Sequence, residues 1–138
     1  MSKILSERPT LEELNDFFTH DRFAAHIGCA IVEGWLDHGV AELVIEDHHR
    51  NALGNVMGGA IFTLADFALA VASNTGQNPS VSVASNVEYF SASRGTKLIA
   101  TCNADKSGRR LGFYTTEVID DTGRRIAQVT TTVFRETD

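Results

Sequence analysis

The chain has 138 residues, of which 43% are hydrophobic and 22% are charged. This length fits one domain that buries its own core, and this composition excludes an intrinsically disordered chain. The formal net charge of −6 argues against nonspecific binding to nucleic acid, whose phosphates attract basic surfaces. Without internal repeats or a low-complexity linker, the sequence predicts a single domain over residues 1–138.

The N-terminal residues and the cysteines bear on the compartment. Residues 1–9 lack the cationic start and apolar run of a signal peptide. The most apolar stretch, residues 56–73, contains Asp66, which would cost about 3 kcal/mol in a bilayer, so a buried helix is predicted there and no membrane association. Cys29 and Cys102 lie far apart and outside any CxxC pattern, which predicts free thiols and a cytoplasmic location.

The first 28 residues are predicted to be helical. The tetrapeptide from Thr10 to Glu13 has the form of a capping box, in which each end residue bonds the other's backbone. Apolar residues then recur at helical spacing through Phe18, which predicts an amphipathic helix. A second short helix is predicted over residues 22–26, with Gly28 as its stop.

Two β-rich runs follow, residues 31–36 and 40–45, and the turn residues between them predict a hairpin. After a loop, residues 58–74 are rich in Ala and Leu and apolar on almost every side, which predicts a central helix buried in the fold. Within it, Thr63, Asp66 and Ser73 share one face.

The remainder predicts four strands, over residues 81–90, 98–104, 111–119 and 125–134. The last two flank the Asp-Asp-Thr-Gly turn at residues 120–123. This order predicts an α+β fold in which an antiparallel sheet of about six strands wraps around one long helix. Because such a sheet leaves edges and faces that a monomer covers badly, we expect dimerisation.

Asp66 is the first candidate for catalysis. A carboxylate in an apolar helix must be neutralised, paired or used, and burial raises its pKa toward that of a general base. The structural alternative is a carboxylate that only bonds a neighbouring backbone group. Gly58 and Gly59 are the second candidate, because unpaired N–H groups at a helix start can hold a developing oxyanion; a tight packing turn is the alternative. Asn51 could donate its amide to a carbonyl or serve as a turn residue.

In this order, the run from Asn51 through Gly58-Gly59 to Asp66 resembles the signature of hot-dog thioesterases of the phenylacetate-degradation (PaaI-type) family. The resemblance extends over residues 30–135. It implies a hot-dog fold and hydrolysis of an acyl-CoA with an aryl or a short- or medium-chain acyl group. It also implies an active site shared across a homodimer, commonly within a tetramer of two dimers.

The resemblance further implies roles for individual residues. Asp66 would activate water or attack the thioester carbon, Gly58 N–H would polarise the carbonyl, and Asn51 would position thioester or water. Ser82 matches a strand position that helps to hold the water. Thr63, on the face of Asp66, would line the acyl pocket or bond back to its own helix.

One residue departs from the family pattern, because Met57 stands where the family usually has His. Methionine cannot donate a hydrogen bond, so we expect it to form an apolar wall of the substrate site beside Gly59. This departure keeps open a noncatalytic acyl-CoA binding protein on the same fold. A hydratase on this fold would need a catalytic His, and none lies in the helix or the Gly-Gly motif.

Two sets of polar residues remain. The predicted ligands for the phosphates of coenzyme A are four basic residues on two loops, Arg94, Lys106, Arg109 and Arg110. Exposed turn charges without a ligand are the alternative. His48 and His49 are adjacent on a loop with no Cys or carboxylate cluster to complete a metal site, so we expect solvated histidines and no metal. No cofactor is expected beyond the coenzyme A of the substrate.

Overall fold

The N-terminal helix begins with the predicted capping box. A computed structural model describes residues 3–137, in which α1 spans Leu11–Phe18. The Glu13 amide donates to Thr10 Oγ1 at 3.1 Å, and the Thr10 amide donates to Glu13 Oε1 at 3.0 Å. These two bonds satisfy donors that have no partner within the helix, and the helix prediction is confirmed.

The second helix, α2, spans Arg22–Ile27 and ends at Gly28 as predicted. The φ of Gly28 is 100°, a left-handed conformation that glycine adopts without steric cost. Within α2 only Ala24 is buried, whereas most of the helix is exposed. α2 is therefore a short element that lies on the surface and packs against the central helix.

Six strands form one sheet, in which every neighbouring pair is antiparallel. The order across the sheet is β1-β2-β4-β5-β6-β3. The strands are β1 Ala30–Trp35, β2 His38–Val44, β3 Ser80–Tyr89, β4 Lys97–Ser107, β5 Leu111–Asp120 and β6 Arg125–Arg135. The predicted hairpin, the four later strands and the α+β class are confirmed.

The long helix α3, Gly58–Asn74, lies across one face of this sheet and packs mainly on β2, β4 and β5. Its alanines and leucines form the core with the inward-facing residues of those strands. At Gly39 the approach is so close that a Cβ atom would lie 2.5 Å from the Ala68 carbonyl oxygen. A residue without a side chain is therefore required where β2 crosses α3.

A buried polar network fixes the C-terminal end of α3. The Tyr114 hydroxyl donates to Asp37 Oδ1 at 2.5 Å, and Arg135 Nη2 donates to the Tyr114 oxygen at 3.1 Å. Arg135 Nη1 donates to the Ser73 carbonyl at 2.6 Å. Because Tyr114 and Arg135 are buried, these bonds join the β1–β2 turn, β5 and β6 to the helix end.

The strand β3 forms one edge of the sheet and leaves apolar side chains in solvent. Val81 is 62% exposed and Val83 is 58% exposed. A register shift between Ser82 and Ala84 interrupts its pairing with β6. In contrast, β5 and the first half of β4 alternate between buried and more exposed residues. The edge of the sheet at β3 thus leaves an apolar strand surface uncovered in the single chain.

Candidate active site

Asp66 lies midway along α3 and stands out from a row of buried apolar neighbours. Its side chain is exposed in the single chain and has no hydrogen-bond partner within residues 3–137. It opens into a pocket of about 330 Å³ between α2 and α3, which also contains Asp21, Phe23 and Thr63. The prediction of a helix buried on most sides holds for its neighbours, whereas the face bearing Asp66 is left open because the sheet covers the opposite side.

The surroundings of Asp66 favour its protonated form. Partial burial raises the pKa of the Asp66 carboxyl, and the negative charge of Asp21 raises it further. Desolvation also raises the pKa of Asp21. A carboxylate with a raised pKa and no fixed partner holds a proton more tightly than a solvated one, which is the property required of a general base.

The start of α3 presents unused N–H groups. The Gly58 and Gly59 amides donate to no acceptor within the described residues, as expected for the first turn of a helix. The preceding Met57 amide is different, because it donates to the His49 carbonyl at 2.8 Å. With the positive end of the helix dipole behind them, the two glycine N–H groups can bind the oxygen of a polarised carbonyl.

Tyr89 fixes the position of this helix start. Its hydroxyl donates to the Gly58 carbonyl at 3.1 Å, so β3 and α3 are joined at the candidate oxyanion site. A Cβ atom on Gly58 would lie 3.1 Å from the ring of Tyr89, which leaves no room for a side chain without a shift. The local sequence pattern did not reveal this contact of Tyr89, because residues so far apart in the chain leave no local signal.

Asn51 is held by the loop that precedes α3. Its Oδ1 accepts hydrogen bonds from the Leu53 amide at 3.0 Å and the Asn55 amide at 3.1 Å. This turn uses the oxygen of the side chain and thereby orients its nitrogen. The Nδ2 group has no acceptor within residues 3–137, so it is available to donate to a substrate or a water molecule.

The three candidate catalytic residues do not meet within one chain. Gly58 and Asp66 lie eight residues apart on α3, which corresponds to about 12 Å along the helix axis. One carbonyl group cannot contact both the Gly58 amide and the Asp66 carboxylate across that distance. Each chain therefore carries the two parts of the predicted constellation at separate places.

Met57, Gly59 and Thr63 line a second pocket, of about 400 Å³. Thr63 also borders the pocket of Asp66, so the two pockets adjoin. Its hydroxyl donates to the Gly59 carbonyl at 2.8 Å. Both roles left open for Thr63, lining a pocket and bonding back to its helix, are thus seen together. Phe23 of α2 borders both pockets as well. The sequence analysis did not identify Phe23, because one aromatic residue in a short surface helix carries no pattern that indicates a pocket.

The two histidines of the loop differ from the prediction. His49 is buried, its Nε2 donates to the Ile27 carbonyl at 2.6 Å, and its Nδ1 accepts from the Glu46 amide at 3.0 Å. The expectation of a solvated His49 is therefore wrong, because this side chain joins the loop to the end of α2. His48 is exposed, as expected.

The basic residues predicted to bind phosphates lie in two separate places. Arg94 precedes β4 on a loop next to the pocket formed by Gly58, Tyr89 and Ser93. Lys106, Arg109 and Arg110 lie at the other end of β4 and in the turn after it, about 30 Å away along the strand. The prediction that all four meet one coenzyme A is thus not met within a single chain, because a β-hairpin puts its turn opposite its ends.

Buried Asp120 organises the loop that carries Arg94. Its Oδ2 accepts hydrogen bonds from the Arg94 amide at 2.9 Å and the Gly95 amide at 3.2 Å, and its Oδ1 accepts from the Arg124 amide at 3.0 Å. Burial alone would raise the pKa of Asp120, but hydrogen bonds from Thr122 and from these amides lower it well below its usual value. The sequence pattern assigned this residue only to a turn.

The remaining predictions concern Ser82, metals and membranes. Ser82 is exposed on β3 and does not border the pocket of Asp66 in this chain. Within residues 3–137, no three His, Cys, Asp or Glu side chains are grouped so that they could hold a metal ion. Over the same residues, no helix is both long enough and apolar enough to cross a membrane.

An antiparallel sheet of six strands around one long helix is the hot-dog fold, and on that helix Asp66 has no hydrogen-bond partner within residues 3–137. Residues 53–137 match the family model of the Thioesterase superfamily, and this match covers more than half of the chain. The chain therefore belongs to the Thioesterase superfamily. The predictions of a hot-dog thioesterase and of a thioester hydrolase are confirmed.

Individual relatives agree with this assignment. Human acyl-coenzyme A thioesterase 13 is 32% identical over 93 residues, which cover 64% of this chain and 66% of that protein. A variant of the phenylacetic acid degradation protein PaaI from Thermus thermophilus is 29% identical, with a TM-score of 0.79 over 84% of this chain and 100% of that chain. A hypothetical thioesterase protein from Streptococcus pneumoniae, solved with coenzyme A, shares the fold at 22% identity, with a TM-score of 0.81 over 90% and 98% of the two chains.

Proposed function

We propose that this protein hydrolyses acyl-CoA thioesters to a free acid and coenzyme A. The observation that carries the proposal is that one helix bears, without partners among residues 3–137, both the Asp66 carboxylate and the N–H groups of Gly58 and Gly59. A thioester hydrolase needs both of these parts. The name of the human relative and the coenzyme A in the Streptococcus structure support coenzyme A as the acyl carrier.

The proposed reaction assigns a role to each part. In one route the Asp66 carboxylate takes a proton from the water that attacks the thioester carbon. In the other route the carboxylate attacks that carbon itself, and water then hydrolyses the mixed anhydride that remains after the carbon–sulfur bond breaks. Each route passes through a tetrahedral oxyanion. The Gly58 N–H donates to that oxyanion, a contribution worth roughly 3–4 kcal/mol of the barrier. As the carbon–sulfur bond breaks in the first route, the proton taken up by Asp66 passes to the thiolate of coenzyme A, and the acyl group is released as the free acid. In the second route the thiolate takes its proton from water, and hydrolysis of the anhydride releases the acid and restores the Asp66 carboxylate. Asn51 Nδ2 donates to the thioester carbonyl or to the water.

We propose that the active site is completed by two protomers. Gly58 and Asp66 of one chain are separated by about 12 Å along the helix axis, which is too far for both to contact one thioester carbonyl. Asp66 of one protomer must therefore act together with Asn51 and Gly58 of its partner. The uncovered apolar edge at Val81 and Val83 supports a homodimer, and a tetramer of two dimers extends the same proposal.

The coenzyme A arm is proposed to contact Arg94, whose loop adjoins Gly58. Lys106, Arg109 and Arg110 lie at the C-terminal end of α3, because Ser107 beside them is within 3.5 Å of Gln77. They could reach the same coenzyme A only from a second protomer. We propose that Ser82, exposed on the β3 edge, likewise acts across this boundary to hold the water.

Water, a carboxylate and backbone N–H groups suffice for the proposed chemistry, so no metal or redox cofactor is invoked. Coenzyme A enters as part of the substrate. The two unpaired cysteines support a cytoplasmic location.

Hydrolysis of an acyl-CoA panel by the purified protein tests the proposal. Release of free thiol is followed with acetyl-, benzoyl-, phenylacetyl-, hexanoyl- and palmitoyl-CoA, and binding of each is measured by calorimetry. The proposal predicts catalytic turnover of at least one of these thioesters. Binding without thiol release would contradict it and would favour a noncatalytic acyl-CoA binding protein.

A mixing experiment tests the shared site. Asp66→Asn and Asn51→Ala each remove one part of the constellation, and we expect both variants to be nearly inactive alone. After the two proteins are mixed and subunits exchange, about half of the dimers are heterodimers, and each heterodimer has one of its two sites intact. Activity should therefore return to about a quarter of wild type at equal mixing, as statistical pairing of two protomers requires. Failure to regain activity, when subunit exchange is demonstrated by mass spectrometry, would contradict the shared site.

A further inference from the structure

We infer that Tyr89 is a positioning residue for an oxyanion site with two donors. It fixes the Gly58–Gly59 peptide so that the Gly59 N–H donates to the reacting carbonyl beside the Gly58 N–H. This inference rests on the proposed thioester hydrolysis and adds two parts to it, a second donor and the residue that orients that donor. The sequence resemblance implied polarisation of the carbonyl by Gly58 alone and gave Tyr89 no role.

The first turn of α3 leaves two adjacent N–H groups without an acceptor among residues 3–137. The Met57 carbonyl accepts from the Ala60 amide at 3.0 Å and from the Ile61 amide at 3.2 Å, so those two donors are used and Gly58 and Gly59 remain. A Ser, Thr, Asp or Asn at the N-cap would accept from the second or third amide of the helix. The Met57 side chain has no oxygen and makes no cap bond, so the Gly59 N–H stays free.

The contacts of Gly59 with residues 3–137 do not explain why this residue is a glycine. Its φ lies outside the left-handed region, and a Cβ atom there would meet no atom within 4 Å. Glycine destabilises a helix relative to alanine, but it lets a ligand approach the backbone closely. Gly58 differs, because a Cβ atom there would lie 3.1 Å from the ring of Tyr89. The open space at Gly59 is thus suited to a carbonyl that approaches its N–H group.

Tyr89 acts on the peptide group that carries the Gly59 N–H. Its hydroxyl donates to the Gly58 carbonyl at 3.1 Å, and that carbonyl and the Gly59 N–H belong to one planar trans peptide. Because the peptide is rigid, holding its oxygen also fixes the direction of its N–H. A hydrogen bond to the oxygen polarises the peptide and strengthens the bond that its N–H donates. Tyr89 therefore both orients and strengthens the second donor.

The position of Tyr89 leaves the second donor accessible. Gly58 and Tyr89 border a pocket of about 390 Å³, whereas Gly59 borders the separate pocket of about 400 Å³ that Met57 lines. The two glycines face different pockets because consecutive residues of a helix are turned by about 100°. In a trans peptide the oxygen and the N–H point in opposite directions. The Tyr89 hydroxyl therefore holds the peptide without covering the N–H that a thioester would reach.

Two tyrosine variants separate positioning of the donor from anchoring of the helix. Tyr89→Phe removes only the hydroxyl beside Gly58, and Tyr114→Phe removes a hydroxyl that holds the opposite end of α3. Each protein is bound to a non-hydrolysable ketone analogue of hexanoyl-CoA, in which CH₂ replaces the sulfur and the carbonyl carbon is carbon-13. Isotope-edited infrared spectroscopy measures the stretching frequency of this carbonyl, which falls as the hydrogen bonds to its oxygen strengthen. The kcat and KM for hexanoyl-CoA are measured in parallel.

We expect Tyr89→Phe to raise the carbonyl frequency of the bound analogue above its wild-type value. It should also lower kcat about threefold to tenfold, the loss expected for one hydrogen bond, while KM stays constant. Tyr114→Phe should leave the frequency and kcat at their wild-type values although it destabilises the fold. An unchanged frequency in Tyr89→Phe, or an equal change in both variants, would overturn the inference.

Gly59→Ala tests the second donor itself. Because alanine is the better helix former and its Cβ meets no atom of residues 3–137, the melting temperature should stay equal or rise. The methyl group obstructs a carbonyl at the N–H, so kcat should fall at least about tenfold at an unchanged mass by light scattering. Adding Tyr89→Phe to Gly59→Ala should then cost less than about twofold, because both changes affect one donor. Full activity of Gly59→Ala, or additive losses in the double variant, would contradict the inference.

The infrared measurement distinguishes failure of this inference from failure of the proposed function. It requires binding of the ketone analogue but no turnover. Absence of thiol release by the wild-type protein would refute the proposed hydrolysis, whereas the frequency difference between wild type and Tyr89→Phe would still decide whether Tyr89 positions the donor.

Discussion

Asp66 is the residue on which the proposed hydrolysis depends most. It has no partner within the described residues, although it lies among buried alanines and leucines. Its raised pKa also has a consequence for stability: the folded chain binds this proton more tightly than the unfolded chain does. The stabilising contribution of the protonated carboxyl is therefore fully present below the unfolded pKa and is lost as the pH rises through the folded value. Ionisation of Asp66 at neutral pH therefore lowers the stability of the folded chain.

Replacing Asp21 by Asn should make Asp66 more acidic. The negative charge of Asp21 is one cause of the raised pKa, so its removal lowers the pKa of Asp66. We expect the acid limb of the pH profile of kcat/KM to move to lower pH in Asp21→Asn. Asp16→Asn, which makes the same charge change on α1 outside the pocket, is the control; an equal shift in both variants would contradict a local effect.

Replacing Arg94 by Ala should weaken the binding of the coenzyme A part of the substrate. Because the arginine is exposed on its loop, we expect KM for acyl-CoA to rise roughly threefold to tenfold. The KM for the same acyl group on N-acetylcysteamine, which lacks the phosphates, should stay constant. A matched variant, Arg124→Ala, removes a charge from the neighbouring turn; similar KM changes in both would contradict a specific contact.

The sequence could supply the residue types of the site but not their arrangement. Helical spacing predicted that Thr63 and Asp66 lie on one face of a helix, and both border the same pocket. The separation of Arg94 from Lys106 depends on which end of a hairpin each occupies, and the contact of Tyr89 with Gly58 depends on strand order. Both are consequences of long-range pairing, which local patterns do not encode.

At the scale of elements, α3 is fixed at both of its ends. Tyr89 holds its first turn, and the network of Asp37, Tyr114 and Arg135 holds its last turn. Local sequence features were enough to predict the elements. The capping box predicted the start of α1, turn residues predicted the hairpins, and the run of Ala and Leu predicted α3. Their predicted bounds agree with the structure to within a few residues. The polar network had no local sequence signal, because Asp37, Tyr114, Arg135 and the Ser73 carbonyl come from four separate parts of the chain.

Replacing Tyr114 by Phe should destabilise this anchor. Burial raises the pKa of Tyr114 to about 12, so at neutral pH its hydroxyl is protonated and donates to Asp37. Loss of that hydroxyl removes a donor from half-buried Asp37 and an acceptor from buried Arg135, and we expect the free energy of unfolding to fall by about 1–3 kcal/mol. Urea denaturation with an unchanged m value measures the loss. Tyr89→Phe removes an exposed hydroxyl and should cost less; the reverse order would contradict the assignment.

At the scale of the whole molecule, a single chain leaves three surfaces open to solvent. These are the pockets between α2 and α3, the face of α3 that bears Asp66, and the apolar edge of the sheet at β3. Dimerisation was expected from the sequence on the ground that six strands and one helix leave uncovered edges. The particular edge could not be identified, since strand order is a property of the fold and β3 pairs only with the last strand of the chain.

Replacing Val83 by Lys should break the assembly. We expect the wild-type protein to have at least twice the chain mass of 15.0 kDa by light scattering. A charge at Val83, which is 58% exposed on the β3 edge, should shift the protein toward the monomer and lower its activity. Val44→Lys changes an equally exposed valine on β2 and should alter neither. An active wild-type monomer would contradict the proposed shared site.

The central claim is that the Asp66 carboxylate performs thioester hydrolysis, and thiol release by Asp66→Asn tests it most directly. The substitution keeps the size of the side chain and removes its charge and basicity. We predict a loss of kcat of at least about a hundredfold, as expected for a general base, while thermal stability at neutral pH stays equal or rises and acyl-CoA still binds. Wild-type turnover by a folded Asp66→Asn protein would contradict the account.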